Sequence, residues 1–97
     1  MSPSHCYLPT PQASRLLSRL CKHFSHKITA VWDETRGDLT FSIGHCQLLA
    51  DAQGLSLTCT AENVADLLEV QDVMQRHLKG FLAQDELVLV WTEAGKE

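Results

Sequence analysis

From Ile28 to Thr60 the apolar residues recur at every second position, and this period decides most of what the chain can become. Extended strands are the structure that puts alternate side chains on one face, so the stretch must form consecutive hairpins with a single apolar side. The spacing predicts three. In the first, Trp32 stands opposite Leu39 and Ala30 opposite Phe41, across a loop at 34–37. In the second, Ile43 faces Cys46 across a two-residue Gly44-His45 turn, where a leading glycine suits type II′ geometry. In the third, Ala50 faces Leu55, Leu48 faces Leu57 and Cys46 faces Cys59, across a loop at 51–54. The other side of this meander carries Thr40, Ser42, Gln47, Ser56, Thr58 and Thr60. It is polar but has no lysine or arginine.

On either side of the meander the period changes to that of a helix. Ala13, Leu16, Leu17, Leu20, Cys21 and Phe24 follow i, i+3, i+4, i+7 spacing, with Arg15, Ser18, Arg19 and Lys22 on the opposite side. Thr10 is a suitable N-cap and Pro11 a suitable first helical residue. The helix should end near 25–27. After the meander, Val64, Leu67, Val70, Met74, Leu78 and Phe81 form a second stripe, capped by Thr60 or Asn63 and fading at 80–84. His5-Cys6-Tyr7-Leu8 reads as a first strand and residues 86–92 as a last one.

The order is therefore strand, helix, four-stranded meander, helix, strand. Two amphipathic helices and one apolar sheet face lead to an α+β two-layer sandwich: a mainly antiparallel sheet with both helices on one face. This is the pattern of TATA-binding-like and helix-grip folds, a likeness that carries no function. Residues 1–97 form one domain, with an ordered core at about 5–92 and a flexible tail at 93–97.

A chain of 97 residues builds one core and leaves no room for a separate catalytic domain. Its net charge of −4 argues against binding a phosphate backbone, so no nucleic-acid partner is expected. There is no membrane-length apolar run and no signal-peptide layout, so a cytoplasmic protein with no membrane partner is expected. Cys6, Cys21, Cys46 and Cys59 match no zinc or redox spacing, and buried, reduced thiols are the expectation. The predicted opposition of Cys46 and Cys59 leaves a redox disulfide as the alternative.

The residues Pro11-Gln12-Ala13-Ser14-Arg15, the run Leu20-Cys21-Lys22-His23-Phe24-Ser25-His26-Lys27, then Gly44, Cys46, His77-Leu78 and Phe81 together resemble a bacterial family called domain of unknown function 2218. Its most specific element is the Cys-Lys-His-aromatic-x-His-Lys run. The resemblance covers nearly the whole chain. It implies a compact bacterial cytoplasmic domain, sometimes found beside siderophore-interacting flavin reductases, which makes iron handling an alternative role.

The same run holds the candidate site. At about 100° per residue, His23 and Lys27 lie on one flank of the first helix's stripe and His26 further towards solvent. His77 occupies a similar flank on the second helix, so the two helices can bring His23 and His77 together. One reading is a ligand site of His23, His26, Lys27 and His77, holding a small anion with help from Arg19 and Lys22. A second is a metal site of His23, His26 and His77, since imidazole suits zinc, iron, copper and nickel. The plainest is a helix end where His26 and Lys27 complement the dipole and His23 is a boundary residue.

No glycine-rich phosphate loop, Gly-x-Ser-x-Gly elbow or carboxylate pair is present, and no catalytic residue or cofactor is predicted. The leading expectation is a non-enzymatic small-ligand-binding or accessory domain. A small metal-binding or redox protein and a structural homodimerisation module are the alternatives.

Overall fold

The computed structural model describes residues 3–84 and 87–93. In chain order its elements are β1 (Ser4–Pro9), α1 (Ala13–Phe24), β2 (Thr29–Trp32), β3 (Arg36–Phe41), β4 (Gly44–Ala50), β5 (Gly54–Ala61), α2 (Val64–Leu82) and β6 (Thr92–Glu93). The six strands form one sheet in the order β2-β3-β4-β5-β1-β6, with every neighbouring pair antiparallel. Both helices pack on one face of it, which is the two-layer α+β arrangement the hydrophobic periods require.

The inner face is built in rows across the strands. One row runs Trp32, Gly37, Leu48, Leu57, Cys6, and the next runs Ala30, Leu39, Cys46, Cys59, Ser4. Above them α1 buries the six residues of its stripe, and α2 adds Val70, Met74 and Leu78. Leu17, Leu20, Leu39, Leu48, Leu55 and Leu57 are all fully buried. Each such leucine contributes roughly 1.5–3 kcal/mol of apolar burial, so these rows and stripes account for most of the driving force.

The β4–β5 register is the one the alternation demands, with Ala50 opposite Leu55, Leu48 opposite Leu57 and Cys46 opposite Cys59. The other two hairpins differ from expectation, the first by two residues and the second by four. Trp32 pairs with Gly37 and Ala30 with Leu39, because the Asp33 carboxylate closes a tighter turn. Its Oδ1 accepts from the Thr35 and Arg36 N–H groups, both at 2.9 Å, while the Asp33 N–H donates to the Arg36 carbonyl at 2.8 Å. The second turn is Ser42-Ile43, not Gly44-His45, and Leu39, not Ile43, faces Cys46. Gly44 is needed inside the strand: a Cβ there would run into the Thr60 carbonyl oxygen and lie 3.1 Å from Val70 Cγ2. A slip by an even number of residues keeps every side chain on its own face, so the apolar side survives both changes.

Local hydrogen bonds set three further element ends, of which the first and the last depart from expectation. Thr10 is not the cap of α1. Its N–H is tied to the Gln53 carbonyl and its hydroxyl accepts from the Gln12 N–H, so the helix starts three residues later. Asn63, not Thr60, caps α2, with Oδ1 accepting from Asp66 N–H at 2.8 Å; Val64 in the first turn is 59 % exposed and leaves the stripe. The last strand shrinks to Thr92–Glu93, paired with β1. Before it, the side chain of Gln75 donates to the Leu87 carbonyl and accepts from the Leu89 N–H. A helix side chain thus takes the place of a strand partner and seats Leu89 in the core. Glu86, the predicted start of that strand, and most of the predicted tail, 94–97, lie outside the described residues.

Two substitutions test this packing. A Cβ on Gly37 would sit 2.7 Å from Cys21 Sγ, where α1 crosses β3. Gly37→Ala should therefore cost about 1–3 kcal/mol, and Cys21→Ala in the same chain should recover part of the loss, a coupling readable in a urea-melt double-mutant cycle. At the end of α2, Ala83 holds φ 54°, with the Gln84 N–H bonded to the Lys79 carbonyl and the Ala83 N–H to the Gly80 carbonyl. Glycine suits that left-handed position better, so Ala83→Gly should raise stability by roughly 0.5–1 kcal/mol and Tm by a few degrees.

Candidate functional site

The last turn of α1 meets the last two turns of α2 over the open end of β3, and aromatic rings fill the junction. Phe24, on the buried stripe of α1, packs edge-on against Phe41 with ring centroids 5.4 Å apart, and the His77 ring lies 4.6 Å from Phe24. One position before Phe24, His23 leans out of the stripe. Its ring stands 5.1 Å from His77 and 5.6 Å from Phe81. Arg19, one turn back, lays its guanidinium over the other ring neighbour, 4.9 Å from the Phe81 centroid.

The structure thus brings His23 and His77 together, as the helical angles suggest. His26 and Lys27 are not part of the ring cluster; they are exposed in the turn that follows α1. Among the described residues no group of three or more histidine, cysteine, aspartate or glutamate side chains is arranged to hold a metal ion. His77 Nδ1 lies 2.7 Å from the Val73 carbonyl. A carbonyl only accepts, so Nδ1 carries the proton and, in the neutral ring, Nε2 keeps a free lone pair. Beside this ring a cleft of about 440 Å³ is lined by Arg76, His77, Gly80 and Phe81. Arg76 is partly engaged, with Nε 2.8 Å from Asp72 Oδ2.

On the other side of Arg19 lies a larger groove, about 660 Å³, which sequence reasoning does not find. Ser14, Arg15, Ser18 and Arg19 form the helical wall, and Trp32, Asp33 and Glu34 the strand wall. The Ser14 hydroxyl bridges the walls by donating to the Glu34 carbonyl at 2.6 Å. The only hint in the sequence is the i, i+4 repeat of Ser-Arg at 14–15 and 18–19; the slipped hairpin hides the approach of Trp32. Arg19 therefore lines the groove and reaches over Phe81 towards the histidines.

Charge separates this face from the rest of the molecule. Residues 1–32 contain no aspartate or glutamate and four of the chain's eight lysines and arginines; all twelve acidic residues come later. Among the described residues Arg15, Arg19, Lys22 and Lys27 form no ion pair. The polar face of the sheet is different, because its charged groups are already matched. His45 meets Asp38 at 3.2 Å, Arg36 meets Asp38 at 3.7 Å, and His5 meets the Thr58 hydroxyl at 3.3 Å.

The profile of a family described as "Uncharacterized protein conserved in bacteria (DUF2218)" matches residues 5–92. The chain belongs to the DUF2218 family. A solved relative is similar along its whole length: the NMR structure of PA4090 from Pseudomonas aeruginosa has a TM-score of 0.83 and 28 % identity, covering 99 % of this chain and 100 % of that one. No curated protein matches. The family's description carries no activity, so any function of this DUF2218 chain must be argued from its own side chains.

The thiols of this DUF2218 chain are poor candidates for chemistry. All four are free and buried. Cys46 and Cys59 face each other and share a hydrogen bond, with Sγ atoms 3.7 Å apart. That hydrogen bond, followed by burial, pushes the Cys46 thiol up, and burial with the nearby Asp38 charge raises Cys21 to about 11. A raised thiol is protonated in the folded state and ionises more readily when unfolded. Its stabilisation is complete below the ordinary value of 9.0 and disappears as pH rises towards about 11. Native protein at pH 8 should therefore resist iodoacetamide at all four positions, whereas urea-unfolded protein should gain four adducts by mass spectrometry, and Tm should fall between pH 9 and pH 11.

Proposed function

We propose that this domain is a non-enzymatic, cytoplasmic binding module that takes a small anionic ligand at the junction of α1 and α2. The observation that carries this reading is the His23–His77 pair, ring centroids 5.1 Å apart, with Arg19 over the adjoining Phe81 and, among the described residues, no carboxylate hydrogen-bonded to either imidazole. The His23 ring and the Arg19 guanidinium provide donors and charge for a carboxylate or phosphate, His77 adds an Nε2 donor only when its ring is protonated, and Phe81 with the His77 ring provides a floor for an apolar group. Lys27 adds positive charge and His26 a further imidazole just past the same helix end. A reducing compartment agrees with four free cysteines, and no helix among the described residues is long and apolar enough to cross a membrane.

A second reading rests on His77 itself. Ring nitrogens that bind metals commonly have the other nitrogen anchored to a carbonyl, as Nδ1 is to Val73 here. His23 and His77 would then supply two ligands to an ion completed by water or substrate.

Titration of ¹⁵N-labelled protein with benzoate and, separately, inorganic phosphate distinguishes these readings. The expected result is saturable shifts at residues 19–27 and 76–81 with Kd near or below about 1 mM, equivalent to roughly −4 kcal/mol. His77→Phe, which keeps the ring, and Arg19→Ala should each weaken binding at least about tenfold, a loss of about 1.4 kcal/mol. Absence of saturable shifts for both probes, or equal binding by both variants, overturns the anion reading. Stoichiometric metal in tag-free protein, lost in His77→Phe, would put the second reading in its place.

A further inference from the structure

The sheet ends at β2, and the outer edge of this strand has none of the usual protection. Thr29–Trp32 contains no proline and no charged residue, its ladder with β3 has no bulge, and Val31 is 66 % exposed. The hydrogen-bond phase of the hairpin shows which groups are presented there. The Asp33 N–H donates to the Arg36 carbonyl, so the pair 33–36 is hydrogen-bonded, as are every second pair beyond it, Val31–Asp38 and Thr29–Thr40. Ala30 and Trp32 must then turn their N–H and C=O groups away from β3, towards the open edge.

We propose that β2 pairs antiparallel with β2 of a second copy of this chain, about a two-fold axis perpendicular to the sheet. Opposed residues in a ladder point to the same face, which limits the symmetric registers to those centred on a residue. Centring on Ala30 makes Ala30 a hydrogen-bonded pair with its own counterpart. It sets Ile28 against the second copy's Trp32, both on the inner face, and Thr29 against Val31 on the outer face. Just beyond the ladder it brings Lys27 beside Asp33 and His26 beside Glu34 of the second copy. Neither Lys27 nor Glu34 has an ion-pair partner among the described residues. Centring on Val31 would instead place Ile28 against Glu34 and Thr29 against Asp33, losing both the apolar match and the opposite charges. The Ala30 register is the one whose ends complement each other.

A four-residue strand supports a small interface, below about 1,200 Å², so the dimer is weak and concentration-dependent. Sedimentation velocity over a concentration series tests it. The average mass should rise from 10.8 kDa towards twice that value. Ala30→Pro removes an N–H that points away from β3, so it should leave Tm nearly unchanged and keep the protein monomeric. Lys27→Glu, which sets a carboxylate against Asp33 of the second copy, should weaken association about fivefold, since each dimer contains that contact twice. A constant mass of 10.8 kDa, or dimerisation of Ala30→Pro equal to wild type, overturns the proposal; so does association of Lys27→Glu as tight as that of wild type.

Discussion

Pairing of β4 with β5 is the contact on which the remaining structure rests. β5 is held on both sides, by β4 across the Asp51 turn and by β1 from the start of the chain, so Leu55, Leu57 and Cys59 each sit in the middle of an inner-face row. The turn is fixed by one carboxylate. Asp51 Oδ1 accepts from the Gln53 and Gly54 N–H groups, both at 2.8 Å, and from the Tyr7 hydroxyl at 3.1 Å, which ties β1 to the same hairpin. Those backbone donors hold the Asp51 carboxyl below its ordinary range, so the contribution is present at neutral pH and is lost as pH falls through the lowered folded value. Once these three strands align, both helices have a flat apolar surface to cover. The side-chain junction at His23 and His77 follows from where the helices then end.

The dependence of the rest on this hairpin also explains what could be read from sequence. The β4–β5 register was legible because it alone pairs Ala50 with Leu55 and Leu48 with Leu57, whereas a slip of two would set Ala50 against Gln53 or Leu55 against Ala52. In β2 and β3 the apolar residues are sparser, and a slip of two costs nothing in face assignment. There the choice passes to local chemistry that alternation does not show, namely the Asp33 turn and the backbone approach at Gly44. The two helical stripes were legible for the opposite reason: six burials on α1 agree with a single phase of 3.6 residues per turn. At residues 87–89 a polar side chain from α2 takes over a strand's hydrogen bonds, a long-range substitution with no local signature.

The same division holds for the candidate site. His23 and His77 lie on helices whose phase is set by buried leucines, so their angular positions carry over to space. The groove beside Trp32 depends on the β2–β3 register and on the Ser14 bridge to Glu34, and neither can be deduced from a helical wheel. Lys27 and His26 fall past the end of α1, where a helical angle has no meaning. Their usefulness to a ligand rests on charge alone.

What gives the α1 face its significance is contrast, not the number of its cations. On the polar face of the sheet, each described charge named above already has a partner, and an incoming ligand there would have to break existing pairs. On α1 the cations form no ion pair among the described residues, and the part of the chain that builds β1, α1 and β2 contains no carboxylate side chain. Three unneutralised positive charges on one helix, with Lys27 just past its end, lower its stability by mutual repulsion, a cost that a bound anion would relieve. Arg19 offsets part of it by resting on Phe81, the ring that also contacts His23. Removing the guanidinium from that ring to meet an anion would lose a contact worth only about 0.5–1 kcal/mol. The arrangement therefore leaves Arg19 available at little cost, between the groove on one side and the paired imidazoles on the other.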